Sequence, residues 1–379
     1  MSPESILQEK DSRKKRLPNF EVLRTLAMLM VVIVHFHLHG LGYITGPVIN
    51  TSSIGLFNFL TYQFVVIICT VCVNIFVLLS CYFLIGKPFN YARLIKLWVQ
   101  VVFYAVAIAL IAHVIHPEHH GWREVLNGFT PIRSNVYWFV ASYVGLVLLA
   151  PFLSKTALSL TRSQYRKFLC VLVLLGCNVV MDFPWGESMG VIGGYSLIWF
   201  IVLFFVAGYL RRFDLNIRPS RILLCFIVLV LLVWGYDAAR VLIGHFAFHQ
   251  EVHHRAMYYN GIPFFLSVLL FTWFKSLSIK RNIITNSLIG LAPYVFGVYL
   301  IHDNPIVREY LWSRIVDLKS LVDSPFLLIV MPLVTIGIFL FCAGVDYLRR
   351  QLFIMLSVDS AIQGFSVHLQ RWVNSVIHR

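Results

Sequence analysis

EVLRTLAMLMVVIVH, residues 21–35, is the stretch that decides the fold class of this chain. It opens on a carboxylate and a guanidinium, runs ten residues without a charge, and closes on an imidazole. As an α-helix rising about 1.5 Å per residue, residues 20–40 reach the roughly 30 Å thickness of a bilayer core. Ionisable side chains inside such a span are costly and point to function. Glu21 lies three residues before Arg24 and can pair with it on the helix surface. Arg24 and His35 are eleven residues apart, which at about 100° per residue is three turns plus roughly 20°. They share one helix face, about 16 Å apart along the axis. A fixed cation at one end and a titratable ring at the other suit a long anionic molecule threaded along the helix. A plainer reading is also open, in which Arg24 snorkels to the headgroups and His35 caps a neighbouring helix.

The rest of the chain repeats this apolar pattern. Of the 379 residues, 59% are hydrophobic and 13% charged; a soluble protein carries about 25% charged residues, so this chain lacks the surface to stay in water. The 15% of aromatic residues suit two membrane interfaces. Apolar runs near 20–40, 60–85, 97–115, 136–153, 168–181, 196–210, 222–243, 261–274, 288–302 and 325–345 predict an all-α integral membrane protein of about ten transmembrane helices. With both termini cytoplasmic, 24 of the 31 basic residues fall on the inner side, from Lys14 through Arg93, Lys155, Arg218 and Lys280 to Arg350. The formal charge of +14 therefore reads as basic inner loops and not as a nucleic-acid surface. The first span is too long for a signal-peptide core and is expected to be retained. The predicted organisation is a basic segment at 1–19, a membrane domain at 20–350 and a cytoplasmic amphipathic tail at 351–379. In that tail Ile362, Phe365, Leu369, Trp372, Val373 and Val376 recur at helical spacing.

Cys69 and Cys72 have a C-x-x-C spacing but lie in mid-span with no second ligand pair, so lipid-facing or core thiols are expected there. The histidine-rich stretches HPEHH (116–120) and HQEVHH (249–254) fit no standard zinc spacing. They read as solvated loops or acceptor contacts, and no metal site is predicted.

Several motifs then fall in a fixed order. Residues 21–35 carry an acidic residue followed by Arg-x10-His. VNIFVLLSCYFL (73–84) holds Asn74 and Ser80, and YARLIKLW (91–98) holds Arg93 and Lys96. VYWFVASYVGLVLLAPFL (136–153) holds Trp138, and APYVFGVYLIHDNPIVREYLW (292–312) holds Tyr299, His302, Asp303 and Arg308. The ordered set resembles the acyltransferase-3 family of membrane proteins from about residue 17 to the last span. Cys81 stands where the family usually has glycine, and Lys96 where it has a second arginine. Lysine holds phosphate as a point charge and lacks the bidentate arginine fork.

The resemblance implies transfer of an acyl group, usually acetyl, from cytoplasmic acetyl-CoA or another acyl-CoA to a cell-surface polysaccharide or lipid-linked glycan. It also implies a bacterial cytoplasmic membrane and no tightly bound cofactor. His35 would be general base or acyl relay, supported by Arg24 and Glu21. Arg24, Arg93, Lys96, Asn74, Ser80 and Trp138 would hold acyl-CoA. Tyr299, His302, Asp303 and Arg308 would meet the acceptor, although His302 followed by Pro305 also reads as an ordinary helix end. Membrane lipids are expected partners, and a homo-oligomer is compatible with the sequence. Two rivals stay open: a polysaccharide or lipid-linked sugar flippase with a buried Arg and His as gate or proton carrier, and a non-catalytic sensor. No matching halves with broken helices favour the flippase.

Overall fold

The computed structural model describes residues 17–41, 53–134, 136–177, 192–248, 259–315 and 321–377. The basic N-terminal run and the HQEVHH loop lie outside the described residues. Among those described, the regular structure is entirely helical, as the composition requires: backbone polar groups in lipid must be satisfied within the element itself.

The chain runs through α1 (Pro18–His35), α2 (Ser53–Cys69), α3 (Cys72–Leu84) and α4 (Tyr91–Ile115). A short α5 (Trp122–Gly128) precedes α6 (Trp138–Ser159), α7 (Arg162–Gly176), α8 (Leu197–Arg212) and α9 (Pro219–Phe248). Then follow α10 (Ile262–Ser276), α11 (Ile283–Leu291), α12 (Val295–His302), α13 (Pro305–Tyr310), α14 (Leu327–Met355) and α15 (Val358–Ile377). Among the described residues, seven stretches are long and apolar enough to cross a membrane: Pro18–Gly40, Ser53–Leu84, α4, α6, α9, Ile283–His302 and α14. The three other spans read from the sequence coincide with the shorter helices α7, α8 and α10. α8 and α10 are mostly buried by their neighbours, so they do not need the full length of a lipid-exposed span.

α1 is the central helix. It packs against α2, α3, α10, α11, α12 and α14, with Leu23, Ala27 and Val32 fully buried. Polar anchors fix its register: Asn19 Nδ2 donates to the Phe274 carbonyl at 2.9 Å, and Thr25 Oγ1 to the Leu288 carbonyl at 2.8 Å. Apolar residues on the bundle's outside stay exposed, among them Ile111 and Val114 on α4, Phe152 on α6, Leu232 on α9 and Phe341 on α14. A surface so apolar faces lipid. The protein is a multi-pass membrane protein.

Backbone irregularities sit where helices meet the interior. α1 ends in a π-helical turn, Phe36–Gly40, a form concentrated at functional sites. α2 and α3 break at Thr70–Val71, and Pro293 in a 3₁₀ turn (Ala292–Tyr294) separates α11 from α12. α12 is held against α14 through Gly297, where a Cβ would meet the Asp346 carboxyl at 2.2 Å. The fully buried Asp346 accepts from Gln100 Nε2 at 3.1 Å, Tyr104 OH at 2.8 Å and Arg349 Nε at 3.0 Å. A buried carboxylate is tolerable only when satisfied in this way, and the network locks the helix that carries Tyr299 and His302.

α15 is amphipathic, as its spacing predicts. Ile362 and Ser366 are buried where the helix packs on α4, while Phe365, Trp372 and Val376 remain exposed.

Candidate active site

One cavity of about 2000 Å³ runs alongside α1. From α1 it is lined by Leu17, Glu21, Arg24, Met28, Val31, Val34, His35, Leu38 and His39, the i, i+3, i+4 stripe of a single helix face. Arg24 and His35 therefore look into the same space, as their spacing predicts.

At the Arg24 end the cavity is basic. Arg24 Nη1 bonds both Glu21 carboxylate oxygens at 3.0 Å, which aims the guanidinium and leaves its other donors free. Arg93, from the first turn of α4, lines the same cavity with Lys87 and Arg211. Arg211 donates to the Tyr82 carbonyl at 2.5 Å and lies 5.7 Å over the Tyr82 ring. Ser80 also lines this stretch and meets the Tyr143 hydroxyl. Arg211 and Lys87 escaped sequence reading because each looked like an ordinary inner-loop charge.

Three residues assigned to the same end lie elsewhere. Lys96 does not line the cavity: its ammonium pairs with the Asp359 carboxylate of α15 at 2.7 Å, both side chains being half exposed. One helical turn past Arg93, but on the outer side of α4, it ties down the tail. Asn74 is fully buried and spent on structure, its Nδ2 donating to the Tyr259 carbonyl at 2.8 Å and its Oδ1 accepting from Trp199 Nε1 at 3.0 Å. Trp138 lines the cavity, but at the opposite end. It follows Tyr137, whose hydroxyl bonds the Leu300 carbonyl at 2.7 Å and accepts from Asn304 at 2.9 Å.

That opposite end is built around His35. Its Nδ1 lies 2.9 Å from Nε2 of His302, and His302 Nδ1 lies 2.6 Å from the Val298 carbonyl. The protons follow from the partners. A carbonyl only accepts, so His302 carries its proton on Nδ1 and offers a lone pair at Nε2. His35 then donates through Nδ1, leaving its Nε2 lone pair unprotonated. Asp303 Oδ1 lies 3.6 Å from the same Nδ1 and 3.7 Å from Arg308 Nε. A ring oriented through one nitrogen, with a carboxylate beside it to steady the imidazolium, is the arrangement general-base catalysis needs. His302 is fully buried behind His35, so it orients that ring and does not touch the cavity. Asp303, Arg308 and Tyr299 do line it. The Tyr299 hydroxyl lies near the Asp303 carboxylate without a regular hydrogen bond of its own.

The chain turn after α12 is built for this. Asp303 closes the helix, and Asn304 Oδ1 caps Ile306 N at 3.1 Å with Pro305 at the first position of α13. Helix-end chemistry and the site coexist here.

The sequence model of the acyltransferase-3 family, described as an acyltransferase domain, matches residues 17–345. The chain belongs to the acyltransferase-3 family. No curated protein and no solved structure gives a significant match. The matched region ends within α14, so α15 lies beyond the shared domain.

Other features of this acyltransferase are structural. Cys69 and Cys72 are buried free thiols. His120 is held by Glu124 at 2.8 Å and Tyr310 at 3.3 Å, and His116 stacks on Tyr310 at 5.7 Å. The HPEHH loop is thereby clamped to α13 and not simply solvated. Among the described residues, one donor group has metal-ligand spacing: His35, His39 and Asp303, within 4.8 Å of one another. Arg308 beside Asp303 already supplies a cation there and opposes a second.

Proposed function

We propose that this acyltransferase moves an acyl group, acetyl by family resemblance, from cytoplasmic acyl-CoA to a hydroxyl of a cell-surface polysaccharide or lipid-linked glycan. One observation carries the reading: a single cavity has Arg24, Lys87, Arg93 and Arg211 at one end and the His302-oriented His35 at the other. The CoA phosphates meet the cations by charge-assisted hydrogen bonds. The pantetheine arm lies along Met28, Val31 and Val34, and the thioester reaches His35. His35 Nε2 takes the proton of the acceptor hydroxyl as its oxygen attacks the thioester carbonyl. The tetrahedral intermediate then expels the CoA thiolate, which recovers the proton from the imidazolium. Asp303 steadies that cation while it exists.

Purified protein in nanodiscs should turn over radiolabelled acetyl-CoA, slowly by hydrolysis without acceptor. Saturable binding with no turnover under any acceptor would favour the flippase or sensor reading.

In this reading the Arg24 end is cytoplasmic and the ten helical segments alternate from there. Reporter fusions at Lys155 and Arg350 should then signal cytoplasm, and one at His119 the outside. An outside signal at Lys155 would overturn this topology.

A further inference from the structure

The cavity's His35 end holds three aromatic rings in a row. Trp138 opens α6, Tyr195 precedes α8, and Tyr259 precedes α10. The ring centroids of Trp138 and Tyr195 are 4.7 Å apart at 61°, and those of Tyr195 and Tyr259 are 4.9 Å apart at 49°. All three line the cavity. Tyr195, in the middle, is 41% exposed, Trp138 is half-buried, and Tyr259 is 7% exposed. The innermost ring meets the Cys72 thiol, and Asp303 and Arg308 line the same cavity. The row is thus a wall of the cavity that also holds His35 and Asp303, with Tyr259 as its buried end.

Interfacial tryptophan and tyrosine also form belts in membrane proteins, but belt residues face headgroups and need no bracing. This wall is braced. Tyr259 N donates to the Gly193 carbonyl at 2.9 Å, and its own carbonyl accepts from the buried Asn74. Gly194, at φ +93°, passes so close that a Cβ would lie 2.6 Å from Tyr259 Cβ. Asn74, left without a ligand role above, is the strut that sets the innermost ring, and Trp199 sets Asn74.

We infer that Trp138, Tyr195 and Tyr259 form the acceptor subsite, and that the acceptor presents a pyranose ring to them. This rests on the carbohydrate reading above and adds the part of the sugar that is recognised. A pyranose has one face of C–H groups and a rim of hydroxyls. The aromatic faces suit the first, and the two tyrosine hydroxyls with Asp303 and Arg308 suit the second. Flat, rigid rings stack at low entropic cost, so the sugar is held while one hydroxyl is offered to His35.

The test is saturation-transfer NMR on the full chain in nanodiscs, with methyl glycosides of glucose, galactose, mannose and rhamnose as probes and glycerol as a ringless polyol. At least one pyranoside should receive saturation at its ring C–H protons, and glycerol none. Trp138→Leu and Tyr195→Leu should each weaken that binding about ten-fold, whereas Trp138→Phe should retain it within about three-fold. Thermal melts report that each variant is folded. No saturation transfer to any pyranoside, equal transfer to glycerol, or unchanged binding in both leucine variants would overturn the wall. Acetyl-CoA turnover by the wild type is scored separately. Ring-dependent sugar binding without turnover would keep the wall and sink the transferase reading.

Discussion

His35→Ala is expected to abolish acceptor acylation by at least about 10²-fold while acyl-CoA affinity stays within about three-fold of wild type. The split follows from distance: the basic end lies about 16 Å down α1 from the imidazole, so donor contacts survive its removal. His302→Leu should lower turnover as well, since His35 Nδ1 loses the acceptor that fixes its tautomer. His302→Gln, which can still accept a bond there, should recover part of it. A control comes from His37, which is 1% exposed and stacks on Tyr62 at 5.1 Å and 18°, away from the cavity. Because that ring is buried, His37→Ala would leave a void, and His37→Gln is the better control for activity. Acylation with protein levels matched in the membrane decides the matter. If His35→Ala acylated normally while His37→Gln did not, the base would have to lie on the other face of α1.

Arg24→Ala and Arg211→Ala are each expected to weaken acyl-CoA binding by about ten- to hundred-fold, the roughly 1.5–3 kcal/mol of a charge-assisted contact. Arg24, with its side chain 30% exposed and aligned by Glu21, should sit at the upper end. Arg93 is exposed, so water and salt screen its charge, and Arg93→Ala should sit at or below the lower end. Lys96→Ala should bind the donor like wild type, because its ammonium is engaged by Asp359 outside the cavity. Titration calorimetry with acetyl-CoA in low and moderate salt measures all four. Wild-type affinity in both Arg24→Ala and Arg211→Ala would move the donor site out of this cavity. A loss at Lys96 equal to that at Arg24 would show that the phosphates bind on the tail side of α4.

The membrane class, the helical fold and the shared face of Arg24 and His35 were all legible in the sequence, for one reason. Each depends on distances along the chain: apolar length against bilayer thickness, and eleven residues against the helical repeat. Glu21 beside Arg24 was legible in the same way. What the order of residues left open was which helix stands next to which, and that is where the remaining assignments changed. Arg93 and Lys96 lie one turn apart, yet one faces the cavity and the other faces α15, because α4 is flanked by different neighbours on its two sides. Arg211 is 187 residues from Arg24 and joins it only because α8 packs on α3 and α3 on α1. Asn74 became a strut when Trp199 and the Tyr259 backbone took both ends of its amide. His302 stands behind His35 because α12 packs on α1, a juxtaposition that no spacing along the chain reveals. Periodicity fixes a side chain's direction on its own helix, but only packing decides what it meets.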